Sequence, residues 1–223
     1  MLISCKSENE VTMIPITAIS DTIKIKYLAL GDSYTKGESV PTNESFPNLL
    51  RDTIENNLPV RIEKLQVIAQ TGWTTTNLIN AIKNTVITDS FNIVTLLIGV
   101  NNQYQKKTIA LYETEFLQLL QQAIAFAGNK TKNVFVISIP DYGATPFGQS
   151  NAQQIGQEID KYNLISKRIS DSLSVAYINI TPISKQAKTN PDLIAFDGLH
   201  PSGKMYAKWV SLLYNKVSKV VLK

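Results

Sequence analysis

Residues 23–33 of the chain read IKIKYLALGDS, and this stretch decides the fold class. Its first half alternates apolar and charged residues, whereas the following YLAL is continuously apolar. Such a pattern is typical of a strand that becomes buried on both faces, as strands of parallel sheets are. Gly31-Asp32-Ser33 then ends the strand. The segment therefore predicts a parallel strand with a polar turn at its carboxyl end.

Four more segments that read as strands follow, each separated from the next by a helical pattern. The predicted strands span residues 61–70, 91–98, 134–139 and 175–180. The predicted helices span residues 45–56, 74–82, 108–127, 151–172 and 202–221. Strands alternating with helices indicate an α/β fold with a five-stranded parallel sheet, and right-handed crossovers place helices on both faces. We predict one such domain over residues 23–223, preceded by a tail over residues 1–22.

The composition excludes several classes of protein. Of the 223 residues, 43% are apolar and 18% are charged, which is typical of a globular domain. The net charge of +4 is small and its lysines and arginines are scattered, so no nucleic-acid surface is predicted. A single cysteine and a single histidine exclude an intrachain disulfide and a zinc site built from these residue types. The apolar runs are too short to span a bilayer.

Polar residues stand where the predicted strands end. Ser33 follows the first strand, Gly72 the second and Asn101 the third. His200 precedes the last helix, with Asp197 just before it. In sheets of this kind, ligands bind beyond the carboxyl ends of the strands. A serine hydroxyl becomes a nucleophile when a base takes its proton, and the single histidine is the candidate base, with the nearby carboxylate holding its other ring nitrogen.

An oxyanion that forms on a substrate needs hydrogen-bond donors aimed at one point. Three donors meet this need at the predicted strand ends: the backbone N–H of Ser33, the backbone N–H of Gly72 and the side-chain amide of Asn101. Gly72 has no side chain to obstruct the approach of a substrate. The pattern thus predicts a nucleophile, a base, an orienting carboxylate and an oxyanion hole.

Four sequence blocks carry a resemblance to a known family. They are Gly31-Asp32-Ser33, Gly72, Gly99-Val100-Asn101 and Asp197-x-x-His200-Pro201. In order and spacing, over about residues 25–218, they resemble the SGNH or GDSL-type hydrolases. The resemblance implies a flavodoxin-like three-layer α/β/α sandwich and ester hydrolysis through an acyl-serine intermediate, with no metal or organic cofactor. It makes Ser33 the nucleophile, His200 the general base, Asp197 the orienting acid, and Ser33, Gly72 and Asn101 the oxyanion hole.

The third block departs from the family pattern, which often reads Gly-x-Asn-Asp, because Asn102 stands where that pattern has its aspartate. We expect Asn102 to affect loop hydrogen bonds or substrate contacts more than the chemistry. Asp32 is expected to hold the turn beside the nucleophile. Four aromatic residues in predicted loops at the edge of the site are, together with Asn102, candidates for lining the substrate pocket: Trp73, Tyr104, Tyr142 and Phe147.

The sequence therefore predicts a serine esterase that acts on carboxylic esters with short acyl groups. Its substrate is expected to be a small-molecule or glycan ester. Thioesterase and lysophospholipase-like activities remain open, as do O-acyl transfer and glycan binding on the same fold, because no residue sets the acyl length or the acceptor. The sequence does not predict an oligomeric state.

The first residues carry a separate pattern. Leu2-Ile3-Ser4-Cys5 resembles the lipobox of bacterial lipoproteins, in which the cysteine carries the lipid. A signal peptide has a basic and an apolar region upstream, and four residues precede Cys5 here. Either the true start lies further upstream, or the match is a coincidence. In the first case we expect the enzyme in the bacterial cell envelope, anchored to the membrane only at Cys5, and in the second case in the cytoplasm.

Overall fold

The computed structural model describes residues 22–222, which form a five-stranded sheet with helices on both sides. The strands are β1 (Ile23–Gly31), β2 (Val60–Ala69), β3 (Ile93–Leu97), β4 (Val134–Ile137) and β5 (Ala176–Ile178). All neighbouring strands are parallel, in the order β2-β1-β3-β4-β5. This is the flavodoxin-like strand order, so the predicted fold class is confirmed. The lipobox prediction at Cys5 lies outside the described residues.

Eight helices occur in the described part of the chain. They are α1 (Ser33–Lys36), α2 (Phe46–Asn57), α3 (Thr75–Lys83), α4 (Val100–Tyr104), α5 (Ile109–Phe126), α6 (Ala152–Ser172), α7 (Thr181–Ser184) and α8 (Gly203–Val221). α2 packs against α8, whereas α5 packs against α3 and α6. Right-handed crossovers place these two groups on opposite faces of the sheet. Among residues 22–222, no helix is both long and apolar enough to cross a bilayer.

The centre of the sheet is fully buried. All five residues of β3 lie in the core, and the one polar residue among them, Thr95, pairs its hydroxyl with that of Tyr27 at 3.0 Å. Both side chains are 0% exposed. A polar group inside a core is tolerated when it has a partner, which explains how threonine fits in an otherwise apolar strand.

β4 and β5 end about two residues earlier than the predicted segments 134–139 and 175–180. The cause is Ser138, which follows β4. Its hydroxyl accepts the backbone N–H groups of Ile180 at 2.8 Å and of Thr181 at 3.1 Å. A side chain thus replaces the strand ladder at this point, and the chain beyond it is free to turn into loops at the carboxyl edge of the sheet.

The strand order reverses between β1 and β3, which are parallel neighbours in the sheet. The connection from β1 leads to β2 on one side, and the connection from β3 leads to β4 on the other. In open parallel sheets, the crevice at this reversal is where ligands bind. Gly31, at the end of β1, pairs with Leu97 of β3, and a Cβ at Gly31 would collide with the Leu97 carbonyl and the Thr35 side chain. Glycine is therefore required for the two strand ends to meet.

Candidate active site

Ser33 is the first residue of α1, directly beyond the end of β1. The preceding Asp32 caps the helix, because its carboxyl accepts the Tyr34 backbone N–H at 3.0 Å. Ser33 is only 4% exposed. The first N–H groups of a helix have no partner inside the helix, so this junction offers a hydroxyl and a free amide at the crevice.

Asp197 and His200 form a hydrogen-bonded pair in the loop before α8. His200 Nδ1 lies 2.5 Å from Asp197 Oδ2, while Asp197 Oδ1 accepts the backbone N–H groups of Leu199 and His200, both at 2.9 Å. Because an ionised carboxylate only accepts, Nδ1 carries the proton and Nε2 is left as an acceptor. The Tyr34 ring packs edge-on against the imidazole with centroids 5.6 Å apart. The histidine is thus fixed in tautomer and orientation.

A third side chain, that of Ser39, binds to the pair formed by Asp197 and His200. Its hydroxyl donates to Asp197 Oδ2 at 2.6 Å, the oxygen that also faces the imidazole. Ser39 has a φ of 64°, in the left-handed region that few residues other than glycine adopt. Partial burial acts to raise the pKa of Asp197, but the hydrogen bonds from Ser39, the imidazole and two backbone N–H groups outweigh it and hold that pKa well below its ordinary value. Asp197 is therefore ionised at neutral pH.

The loop after β2 carries Gly72, which has a φ of 83°. A Cβ there would meet no protein atom within 4 Å, so the backbone conformation favours glycine and crowding by the protein does not. Two side chains from α4 and its C-cap hold this loop. Asn101 Nδ2 donates to the Trp73 carbonyl at 3.0 Å, and Gln105 Nε2 donates to the Gly72 carbonyl at 3.0 Å. The Asn101 amide keeps a second N–H.

One cavity of about 170 Å³ brings these groups together. Four residues predicted to take part in the chemistry line it: Ser33, Gly72, Asn101 and His200. Three of the predicted loop aromatics also line it: Tyr104, Tyr142 and Phe147. The rest of the wall is formed by Tyr34, Thr71, Val100 and Leu199. Asp197 lies behind His200, to which it is bonded. In the described part of the chain, the Ser33 hydroxyl and the His200 ring are not joined by a hydrogen bond. Catalytic hydrogen bonds are often long before substrate binds.

Two residues predicted to line the substrate pocket, Asn102 and Trp73, do not line the cavity, so this prediction was wrong. The Asn102 side chain is fully buried between α4 and α3: Oδ1 accepts the Thr75 N–H at 2.9 Å and Nδ2 donates to Thr75 Oγ1 at 2.6 Å. Thr75 Oγ1 in turn donates to Glu115. Trp73 is half-buried and packs against the hydrophobic core, so its carbonyl and not its ring serves the site. Asn102 therefore ties two helices together and does not touch the cavity.

Several lining residues were not predicted. Tyr34, Val100 and Leu199 are each sequence neighbours of predicted site residues, and that adjacency was the available signal. Ser39 had no comparable signal, because it stands 158 positions from Asp197 in an irregular loop. The helix α4 was also missed, since none of the predicted helices covers its residues Val100–Tyr104.

A serine at a helix start, a histidine bonded to a carboxylate and amide donors around one cavity are features of serine hydrolases. The chain belongs to the GDSL-like lipase/acylhydrolase family, since the model of that family matches residues 29–208. It is accordingly an ester hydrolase. The sequence matches none of the curated proteins with which it was compared.

Solved structures with a similar fold include three esterases. The family 3 carbohydrate esterase of Clostridium thermocellum superposes with a TM-score of 0.71 at 21% identity, over 89% of this chain and 98% of its own. An acetyl xylan esterase from Geobacillus stearothermophilus gives 0.67 at 16% identity, over 88% and 96%. The psychrotrophic esterase EstA from Pseudoalteromonas sp., inhibited by monoethylphosphonate, gives 0.66 at 16% identity, over 89% and 100%. These likenesses support the fold.

Proposed function

We propose that the protein is a serine esterase that removes short acyl groups from carboxylic esters through an acyl-serine intermediate. The observation that carries the proposal is the 2.5 Å contact between His200 Nδ1 and Asp197, which turns the other ring nitrogen into a proton acceptor on the cavity that Ser33 lines. The small volume of this cavity, about 170 Å³, favours a short acyl group.

In the first half of the reaction, Ser33 Oγ attacks the ester carbonyl carbon and its proton passes to His200 Nε2. Asp197, ionised beside the ring, stabilises the imidazolium that results. The negative charge moves to the carbonyl oxygen, where the N–H groups of Ser33 and Gly72 and the free N–H of Asn101 stabilise it. The bond from carbon to the alcohol oxygen then breaks, and His200 returns the proton to the departing alcohol.

In the second half, water replaces the alcohol. His200 Nε2 takes a proton from the water as its oxygen attacks the acyl carbon, and the same donors stabilise the second oxyanion. The bond to Ser33 Oγ breaks, the proton returns to that oxygen, and the carboxylic acid leaves. Water access therefore decides between hydrolysis and transfer of the acyl group to another hydroxyl.

The first test compares the wild type with Ser33→Ala on p-nitrophenyl acetate, butyrate and octanoate. We expect the variant to lose turnover by roughly 10⁴-fold or more, and the wild type to rank acetate or butyrate above octanoate. Ser211→Ala, an exposed serine of α8, is the matched control and should keep full activity. Circular dichroism checks that both variants are folded.

Covalent labelling provides a second readout. A p-nitrophenyl alkylphosphonate should release one equivalent of p-nitrophenol and leave its phosphonyl group on the peptide that contains Ser33, as detected by mass spectrometry. Equal turnover in the wild type and Ser33→Ala, or a label on another residue, would overturn the assignment of the nucleophile. Formation of acylated sugar in place of free acid would show that the enzyme transfers its acyl group.

A further inference from the structure

A second cavity, of about 650 Å³, adjoins the first. The two share a partition made of Tyr104, Tyr142 and Phe147, which line both. Beyond this partition the wall is mainly polar, and its polar side chains are Gln103, Lys106, Ser150, Asn151, Gln154 and Glu158. The ester site therefore has two compartments of different size and chemistry.

A continuous hydrogen-bond network fixes the polar wall. The Tyr142 hydroxyl donates to Gln103 Oε1 at 2.8 Å, and Gln103 Nε2 donates to Glu158 Oε2 at 2.6 Å. Gln154 Nε2 donates to Glu158 Oε1 at 2.9 Å. Gln103 is only 9% exposed, so this network is anchored inside the protein. Held by these two amides, the Glu158 carboxylate has a lowered pKa and presents its remaining lone pairs as acceptors.

The partition offers flat apolar surfaces to the solvent. Tyr104 is 56% exposed and Phe147 is 51% exposed, although both rings contact other aromatic rings. The Tyr104 centroid lies 6.1 Å from that of Phe147 and 6.3 Å from that of Tyr142. Such packing holds the rings in place, so they are fixed platforms for the apolar face of a ligand.

The chemistry of the walls selects the ligand. A fatty acyl chain would strip water from the amides and the carboxylate of the larger cavity without giving them hydrogen bonds, which is unfavourable. An anionic ligand would meet the negative charge of Glu158, and the positive charges of the nearby Lys161 and of Lys106 on the wall already act on that carboxylate. A neutral molecule that has hydroxyl donors on its edges and apolar C–H groups on its faces satisfies both the carboxylate network and the aromatic rings. A sugar ring has this combination.

We propose that the larger cavity binds the alcohol portion of the ester and that this alcohol is a neutral saccharide. The inference rests on the proposed esterase function, with the acyl group in the smaller cavity. The exposed rings of Tyr104 and Phe147 stack on the sugar, the buried Tyr142 supports them, and Glu158 with its amide partners accepts and donates hydrogen bonds at the hydroxyl groups.

The experiment uses two acetates of similar shape. One is 6-O-acetyl-D-glucose, and the other is cyclohexylmethyl acetate, which lacks the hydroxyl groups. Acetate release is followed in a pH-stat for the full-length protein. A site built to pair with hydroxyl groups rejects an analogue that lacks them, so we expect the wild type to prefer the sugar acetate by roughly tenfold or more in kcat/KM.

Two variants alter the larger cavity and leave the smaller one intact. Gln154→Ala removes one donor of the network, and Ser150→Trp fills the space from an exposed position. Each should reduce the preference for the sugar acetate to about twofold or less, because the rate on the sugar acetate falls more than the rate on cyclohexylmethyl acetate does. Gln157→Ala, exposed on the same helix but outside this cavity, should keep the full preference.

The outcomes separate the two proposals. If no ester is hydrolysed in a manner that depends on Ser33, the esterase proposal fails. If Ser33-dependent hydrolysis is present but the two acetates react equally, or the variants leave their ratio unchanged, the saccharide proposal alone fails. It also fails if Ser150→Trp changes the ranking of p-nitrophenyl acetate, butyrate and octanoate, because the larger cavity would then hold the acyl chain.

Discussion

At the scale of single residues, the carboxylate of Asp197 is shared between two donors. Its Oδ2 faces His200 Nδ1 at 2.5 Å and the Ser39 hydroxyl at 2.6 Å. The Ser39 hydroxyl restricts rotation of the carboxylate and stabilises its ionised form by donating a hydrogen bond. The left-handed backbone of Ser39 costs on the order of 1 kcal/mol, and it places the hydroxyl where it reaches Asp197. Ser39 is therefore a positioning residue for the proposed base.

Ser39→Gly tests this role, because glycine adopts the same backbone conformation without strain. We expect kcat/KM on p-nitrophenyl acetate to fall about tenfold, mostly in kcat, as for the loss of a hydrogen bond to a charged group. A carboxylate with one donor fewer attracts the imidazolium more strongly, so the acid limb of the kcat/KM profile should move to higher pH. Steady-state rates between about pH 5 and pH 9 measure both effects.

The pH profile separates positioning from a purely structural contribution of Ser39. A variant that is less stable but has an unmoved acid limb and unchanged kcat would show that the hydroxyl serves the loop alone. Ser211→Ala, on the exposed side of α8, should leave both the rate and the profile as in the wild type.

At the scale of elements, the short helix α4 holds the loop that carries Gly72. Asn101 and Gln105 bind carbonyl groups of that loop, and Asn102 binds the first residue of α3, Thr75, through both ends of its amide. The hydroxyl of Thr75 is thereby left to donate to Glu115 on α5. Asparagine suits this position because it both accepts and donates.

Asn102→Asp should destabilise the protein, because an aspartate accepts but does not donate. The single proton of the Thr75 hydroxyl would then lie between two carboxylates, and avoiding the buried charge by protonating the new carboxylate at neutral pH would also cost free energy. We expect the free energy of unfolding at neutral pH to fall by about 2 kcal/mol, as measured by urea denaturation. Asn215→Asp, at an exposed position of α8, is the control, and equal stability of the two variants would contradict the assigned role.

The elements show which features the sequence could predict. The central strands β1, β3 and β4 were predictable because their apolar runs are buried on both faces, whereas the edge strand β2 is partly exposed and mixes apolar with charged residues. Ser33, Gly72 and Asn101 were predictable as site residues because parallel strands end at one edge. The side chain of Trp73 packs against the hydrophobic core and does not line the cavity, and local sequence does not specify the direction of a loop side chain. The buried bonds of Asn102 likewise depend on the approach of α3, which local sequence does not specify.

At the scale of the whole molecule, the buried carboxyl of Asp32 links folding to pH. Asp32 is 0% exposed, and in the described part of the chain its Oδ2 has no hydrogen-bond partner. Burial raises the pKa of Asp32 to about 8, although the Tyr34 N–H acts to lower it. The carboxyl is therefore protonated in the folded protein at neutral pH.

The sign of this pH effect follows from comparing the pKa of Asp32 in the folded protein, about 8, with its ordinary value in an unfolded chain, about 4. Between about pH 4 and pH 8, the unfolded chain releases a proton that folded Asp32 retains, so rising pH favours unfolding. The stability contributed by neutral Asp32 is full below about pH 4 and is lost as pH rises through about 8, on the order of 5 kcal/mol in all. Asp89, whose pKa is lowered to about 2 by hydrogen bonds from Lys26 and Lys64, acts in the opposite sense and only at more acid pH.

Asp32→Asn removes the titration and keeps an oxygen that accepts the Tyr34 N–H. The variant should therefore unfold at a higher urea concentration than the wild type at about pH 8.5. At about pH 4.5 the difference in the free energy of unfolding should shrink to about 1 kcal/mol, because Asp32 is then neutral in the folded protein and largely ionised only in the unfolded chain. Asp171→Asn, on the exposed surface of α6, should change stability little at either pH. If the wild type and both variants lose stability in parallel between these pH values, then Asp32 is ionised in the folded protein, and a compensating charge must stabilise it beside Ser33.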